Sequence, residues 1–152
     1  MNKPIGVFDS GVGGLTVVKE LMQLLPHENI FFFGDTARLP YGTKSKETVT
    51  KFSLENILFL LEKNVKLVVV ACNTASSLAL PSIRKFFRIP ILGVIFPGAK
   101  EAVSVTQNRK IGVIATRSTI KSNSYVSEIK NIDPKVKVFS VECPLFVPLV
   151  EE

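Results

Sequence analysis

The sequence predicts an α/β fold: a parallel-sheet domain with flanking helices, followed by the start of a second, similar α/β domain that the chain leaves truncated. Three observations predict it. Four short apolar runs, at residues 5–8, 30–33, 66–71 and 91–95, are rich in Val, Ile and Phe and read as strands. Longer segments with helical spacing separate them, and such alternation implies a parallel sheet covered on both faces. Pro97-Gly98 then interrupts the pattern, which places a first unit at residues 1–96 and the beginning of a second at 97–152.

Each element has its own signal. After the first strand and the loop Asp9-Ser10-Gly11-Val12-Gly13-Gly14, Leu15, Val18, Met22 and Leu25 recur at helical spacing, and Pro26 ends that helix. The second strand closes at Gly34-Asp35, and the loop from Thr36 to Gly42 is too polar and too punctuated to be core. Ser45 caps a helix in which Leu54, Ile57, Leu58 and Leu61 share a face. The third strand leads into a helix expected at 75–87, and Pro90 introduces the fourth strand. In the second unit a short helix near 99–105, a strand at 111–115, a helix starting near Thr119 and a strand at 136–141 are expected. Two strands and two helices cannot bury both faces of a sheet, and the segment from Cys143 to Glu152 stops without a terminating turn.

Composition narrows the function classes. Of 152 residues 46% are hydrophobic and 21% charged, a balance that supports a packed core and excludes disorder. The net charge of +6 is scattered, and its tightest group, Arg84-Lys85 with Arg88, lies at a helix end where cations suit the dipole. The charge therefore reads as solvated surface, without the aromatic-interleaved basic motif of a nucleic-acid binder. The 2 cysteines, Cys72 and Cys143, show no CxxC spacing and fit a reducing cytoplasmic setting. No stretch approaches the roughly 18 apolar residues of a membrane span, and no signal-peptide pattern is seen. The expectation is a soluble, cytosolic protein with no membrane partner. No metal cluster is visible, His27 reads as surface, and homo-oligomerisation is left open.

The chemistry is expected at the strand-to-helix turn Ala71-Cys72-Asn73-Thr74, because ligands of open α/β sheets bind at the carboxyl ends of strands. A helix N-terminus favours both a nearby thiolate and a bound carboxylate. A dipole contribution of up to about 2 kcal/mol would bring a thiol from roughly 8.5 to about 7. Cys72 is thus either a proton shuttle poised near neutrality or a small buried thiol capping a strand. Asn73 and Thr74 favour the first reading, since neither suits the end of an apolar strand without a polar ligand. Asp9 and Ser10 either pair with a substrate ammonium or cap the following helix. Pro40-Tyr41-Gly42 either carries an aromatic wall to the site or is a plain turn. Thr116, Ser118 and Thr119 offer a second carboxylate cradle or an N-cap. Gly11-x-Gly13 followed by Asp35 invites a dinucleotide reading, but Thr16 stands where the third glycine belongs and Asp9 would oppose a pyrophosphate.

Four segments together resemble the bacterial glutamate racemases of the aspartate/glutamate racemase family, along essentially the whole chain. They are Gly6-Val7-Phe8-Asp9-Ser10-Gly11-Val12-Gly13-Gly14, Phe33-Gly34-Asp35-Thr36-Ala37-Arg38-Leu39-Pro40-Tyr41-Gly42, Ala71-Cys72-Asn73-Thr74-Ala75-Ser76 and Cys143-Pro144-Leu145-Phe146-Val147-Pro148. The resemblance implies a two-domain enzyme that needs neither pyridoxal phosphate nor a metal, takes glutamate as substrate and makes D-glutamate for peptidoglycan. It implies Cys72 as one of two catalytic cysteines. It also implies Asp9, Ser10, Tyr41, Gly42, Asn73 and Thr74 at the substrate, with Thr116 and Thr119 matching positions in the second domain. The family's second cysteine, in a Gly-Cys-Thr-His segment, lies beyond residue 152, so the chain as given is expected to be inactive. Cys143 is not assigned a catalytic role. An aspartate racemase, a decarboxylase of similar fold and an amino-acid-binding module without catalysis are the competing readings.

Overall fold

A computed structural model describes residues 3–151; Met1, Asn2 and Glu152, the last residue of the C-terminal segment noted above, lie outside them. Strands β1 (Ile5–Asp9), β2 (Ile30–Gly34), β3 (Leu67–Val70) and β4 (Ile91–Gly93) form one parallel sheet in the order β2-β1-β3-β4. The register pairs Val7 with Phe32 on one side and Val69 on the other, so β1 and β3 end side by side. Strands β5 (Lys110–Ala115) and β6 (Lys137–Glu142) pair in parallel as a separate two-stranded sheet.

Because strand side chains alternate, the first sheet feeds two cores. Ile5, Val7, Val69 and Ala71 pack against Val17, Val18 and Leu21 of α1 (Leu15–Leu24). Phe8, Val68, Val70 and Cys72 join the opposite core with Val49, Ile57 and Leu60 of α2 (Lys46–Glu62). Ser45 caps α2 as expected, its hydroxyl accepting the Thr48 N–H at 3.2 Å. A third cluster, Ala99, Ile111, Ile129 and Val136, belongs to the second unit. Among the described residues no helix is long and apolar enough to cross a membrane.

Several elements differ from their expected form. Of the face expected on α2, Ile57 is buried and Leu54 and Leu61 pack against the core, but Leu58 is 53% exposed, and Val49, Ser53, Asn56 and Leu60 complete the inward side. The reading by apolarity alone missed that Asn56 turns inward to satisfy buried polar partners, which rotates the buried stripe. The helix expected at 75–87 starts earlier and is broken. Cys72 is the N-cap of α3 (Asn73–Leu78), and Pro81 sits in the first turn of α4 (Leu80–Ile83), where its missing N–H leaves no helical bond unmade. The same reason admits Pro97 to the first turn of α5 (Ile95–Val105), so Pro97-Gly98 lies inside a helix.

In the second unit the single helix expected near Thr119 is two. Asn123, at φ 55°, separates α6 (Arg117–Lys121) from α7 (Ser124–Ile132), and asparagine is among the few residues that enter this left-handed region readily. The C-terminal segment, for which no element was expected, forms α8 (Phe146–Glu151).

The rotated α2 face makes a direct prediction. Leu60→Ala removes a fully buried side chain and should cost about 2–5 kcal/mol, whereas exposed Leu58→Ala should stay within about 0.5 kcal/mol. Urea unfolding of the two variants checks it, and equal losses would show that the stripe is misplaced.

Candidate active site

The site begins at the adjacent ends of β1 and β3. Asp9, the last residue of β1, is 7% exposed, and its Oδ2 accepts the N–H groups of Gly11 at 3.2 Å and Gly14 at 3.1 Å. Loss of water still raises the Asp9 carboxyl above the usual carboxylate range against those amides, and the charge of Glu151 adds to the rise. Cys72 follows β3. Its Sγ donates to Ser10 Oγ at 3.4 Å and accepts the Ala75 N–H at 3.4 Å.

The acidity expected of Cys72 is overturned. Burial, and then the Asp9 charge, push the thiol up to about 11. The six-residue helix behind it brings one amide to the sulfur, which does not offset lost hydration and a neighbouring carboxylate. The substrate-free protein therefore holds a protonated thiol at neutral pH.

The second unit closes on this edge through hydroxyl groups. Thr74, Thr116 and Thr119 form a triangle of Oγ1 atoms, 3.0, 3.3 and 3.1 Å apart. Thr116 occupies the N-cap position of α6, but its hydroxyl makes no cap bond and joins this triangle. Ser118 Oγ donates to the Gly42 carbonyl at 2.7 Å. A Cβ on Gly42 would come within 2.5 Å of Thr116 Cβ, so the turn and the second unit meet at a distance only glycine permits.

Tyr41 does not offer the cavity an aromatic wall. Its ring is 1% exposed, and its phenol donates to Asp35 and accepts from Asn56 Nδ2 at 3.0 Å. A phenol buried this deeply needs polar partners, and the polar face of α2 supplies them. Asp35 also takes Arg38 Nε at 2.9 and 2.7 Å, while Arg38 lies 4.3 Å over the Phe52 ring and reaches Glu55 and Asn56. With both carboxylate oxygens engaged, Asp35 is not placed to hold a ribose.

Between the units lies a cavity of about 610 Å³. Asp9, Ser10, Cys72, Asn73 and Thr74 line it from the first unit, and Thr116 and Thr119 from the second. Tyr41 and Gly42 stand behind that wall, against Asp35 and Thr116 respectively. Cys143 lies outside the lining and His27 is exposed. Two polar lining residues escaped the sequence reading. Glu151 of α8 accepts the Val12 N–H at 2.9 Å, and Tyr125 of α7 donates to Asn73 Oδ1 at 2.6 Å. Neither falls in a strand-end motif; the available hint was that Tyr125 is one of only 2 tyrosines in the chain. Among the described residues no group of three His, Cys, Asp or Glu is arranged to hold a metal ion.

Comparison with known proteins places the chain in a family. The model of the Asp/Glu/Hydantoin racemase family matches residues 5–145. A glutamate racemase of Geobacter metallireducens is 57% identical over 150 residues, covering 99% of this chain and 56% of the relative. The crystal structure of glutamate racemase isoform RacE1 from Bacillus anthracis superposes with a TM-score of 0.94 at 46% identity, over 97% of this chain and 56% of that one. The glutamate racemase of Francisella tularensis, solved in complex with D-glutamate, gives 0.90 at 45% identity over 98% and 56%. The chain thus spans about half the length of the curated relatives it matches. With a family match across nearly its whole length and the same fold, the chain belongs to the Asp/Glu/Hydantoin racemase family.

Proposed function

We propose that this chain carries one half of a glutamate racemase active site, contributing substrate binding and one of two proton-transfer groups without any cofactor. The observation that carries this reading is the Cys72 thiol at the cavity wall, bonded to Ser10 beside Asp9 and across from hydroxyls of the second unit. Glutamate is preferred to aspartate as substrate because the relatives near 50% identity are glutamate racemases. The product serves peptidoglycan synthesis in a cytoplasm whose reducing setting keeps Cys72 and Cys143 as free thiols.

Racemisation removes a proton from one face of the α-carbon and delivers one to the other. Cys72 serves the first face. Its Sγ–H is ready to donate, but ionising a thiol of pKa about 11 at neutral pH costs roughly 5 kcal/mol. In the direction where Cys72 acts as base, the substrate itself lowers that cost. An ammonium paired with Asp9 cancels the part of the rise that the Asp9 charge adds to that of burial, and the threonine hydroxyls with Asn73 bind the carboxylate on which charge develops. The opposite face needs a second acid, and Cys143 stands outside the cavity. The 152-residue chain alone is therefore a binding half without useful turnover.

Circular dichroism of L-glutamate solutions tests this reading. No signal loss is expected with residues 1–152, and full loss with a polypeptide spanning the family's whole length; full turnover by the short chain would overturn the two-group assignment. A panel of L-glutamate and L-aspartate on the longer polypeptide decides the substrate. The state of the thiol gives a second prediction. In ligand-free Cys143→Ala protein, alkylation of Cys72 by iodoacetamide should keep rising to about pH 11 instead of levelling off near the ordinary thiol value of about 8.5. Asp9→Asn, which removes a negative charge beside the sulfur, should move the midpoint to lower pH.

A further inference from the structure

Asn73 bears the side-chain amide beside Cys72 that lines the cavity, and what an amide presents to an anion depends on which way it is turned. Its oxygen repels a carboxylate and its nitrogen donates to one. In this structure the Asn73 amide oxygen faces the second unit. Tyr125 Oη, on α7, donates to Asn73 Oδ1 at 2.6 Å, and among the described residues no protein group accepts the Nδ2 protons. The Tyr125 ring lies against Gly98 of α5, where an added Cβ would come 3.3 Å from its Cε1 and its Oη. Burial raises the phenol above its ordinary value, so it stays a donor at neutral pH. Tyr125 and Asn73 line the same cavity.

We propose that Tyr125 is a positioning residue for substrate recognition: by holding Asn73 Oδ1 it turns the Asn73 Nδ2 donor toward the carboxylate of an anionic amino acid. This rests on reading the cavity as a glutamate site. It also makes recognition by the first unit depend on α7 being docked, since the phenol reaches 52 residues along the chain to set one amide.

Two measurements on the 152-residue chain test it. In the ligand-free protein the Asn73 side-chain amide should give one sharp pair of NMR resonances that shifts and broadens in Tyr125→Phe, a variant that keeps the ring against Gly98. In calorimetric titration with D- and L-glutamate, Tyr125→Phe should weaken binding about fivefold to tenfold, the weight of one hydrogen bond, and should have no further effect in an Asn73→Ala background. An unchanged Asn73 amide, or an equal loss in both backgrounds, overturns the proposal. Should Tyr125→Phe fail to fold, the wild-type chain decides: a nuclear Overhauser contact between the Tyr125 ring and the Asn73 side-chain amide that is kept when D-glutamate binds is expected, and its absence overturns the proposal. Sharp, Tyr125-dependent Asn73 resonances in a wild-type chain that ignores glutamate would instead refute the substrate reading and, with it, the recognition role, while leaving the orientation of the amide established.

Discussion

The Ala71 N–H donates to the Phe8 carbonyl at 2.9 Å, and this last rung between β1 and the chain leaving β3 is the constraint on which the site depends. It follows from the register that pairs Phe8 with Val70, and it fixes the next residues of each strand, Asp9 and Cys72, side by side in a place that water barely reaches. Burial is the main reason each is held toward its protonated form, with the Glu151 charge adding to it at Asp9 and the Asp9 charge at Cys72. Three backbone amides oppose the rise at Asp9, and the Ser10 hydroxyl with the Ala75 and Ser10 amides opposes it at Cys72. No Lys, Arg or His lines the cavity among the described residues, so no cationic side chain faces Asp9 and Cys72 there.

A second constraint is the polar character of the seam between the units. Hydroxyls make most of the polar contacts between the two halves: the three threonines, Ser118 on the Gly42 carbonyl and Ser124 on the Ser77 carbonyl at 3.3 Å, beside the Glu151 carboxylate on the Val12 N–H. Such bonds contribute about 1 kcal/mol each and fix geometry more than they add affinity. The rigid part of the seam lies behind it. Asp35, Arg38, Asn56 and Tyr41 form a buried network anchored on α2, and this network holds the turn whose glycine backbone meets Thr116. Tyr41 thus serves the site from behind, through the position of its backbone, with its ring in the core.

Much of this was legible in the residues. The strand runs ending in Asp9 and in Cys72 placed both groups at one sheet edge, since parallel strands share a carboxyl side, and Ser45 announced the start of α2. Elements failed where a local signal had two meanings. Pro97 and Pro81 read as breaks or were passed over, yet proline in a first helical turn removes a hydrogen bond that would not have formed. Leu58 read as core, yet polar Asn56 took the inward place because Tyr41 and Arg38 needed a partner there.

By itself the sequence determined the α/β alternation, the residues that reach the strand ends and the family they resemble, because these rest on periodicity and on motifs local to the chain. Only the tertiary structure decided the protonation of Cys72, the inward turn of the Tyr41 phenol and the approach of Tyr125 and Glu151 to the cavity. Those depend on burial and on distances between segments as far as 139 residues apart. A helix dipole can be read from a string of letters; the water it must outweigh is known only once the chain has closed around the sulfur.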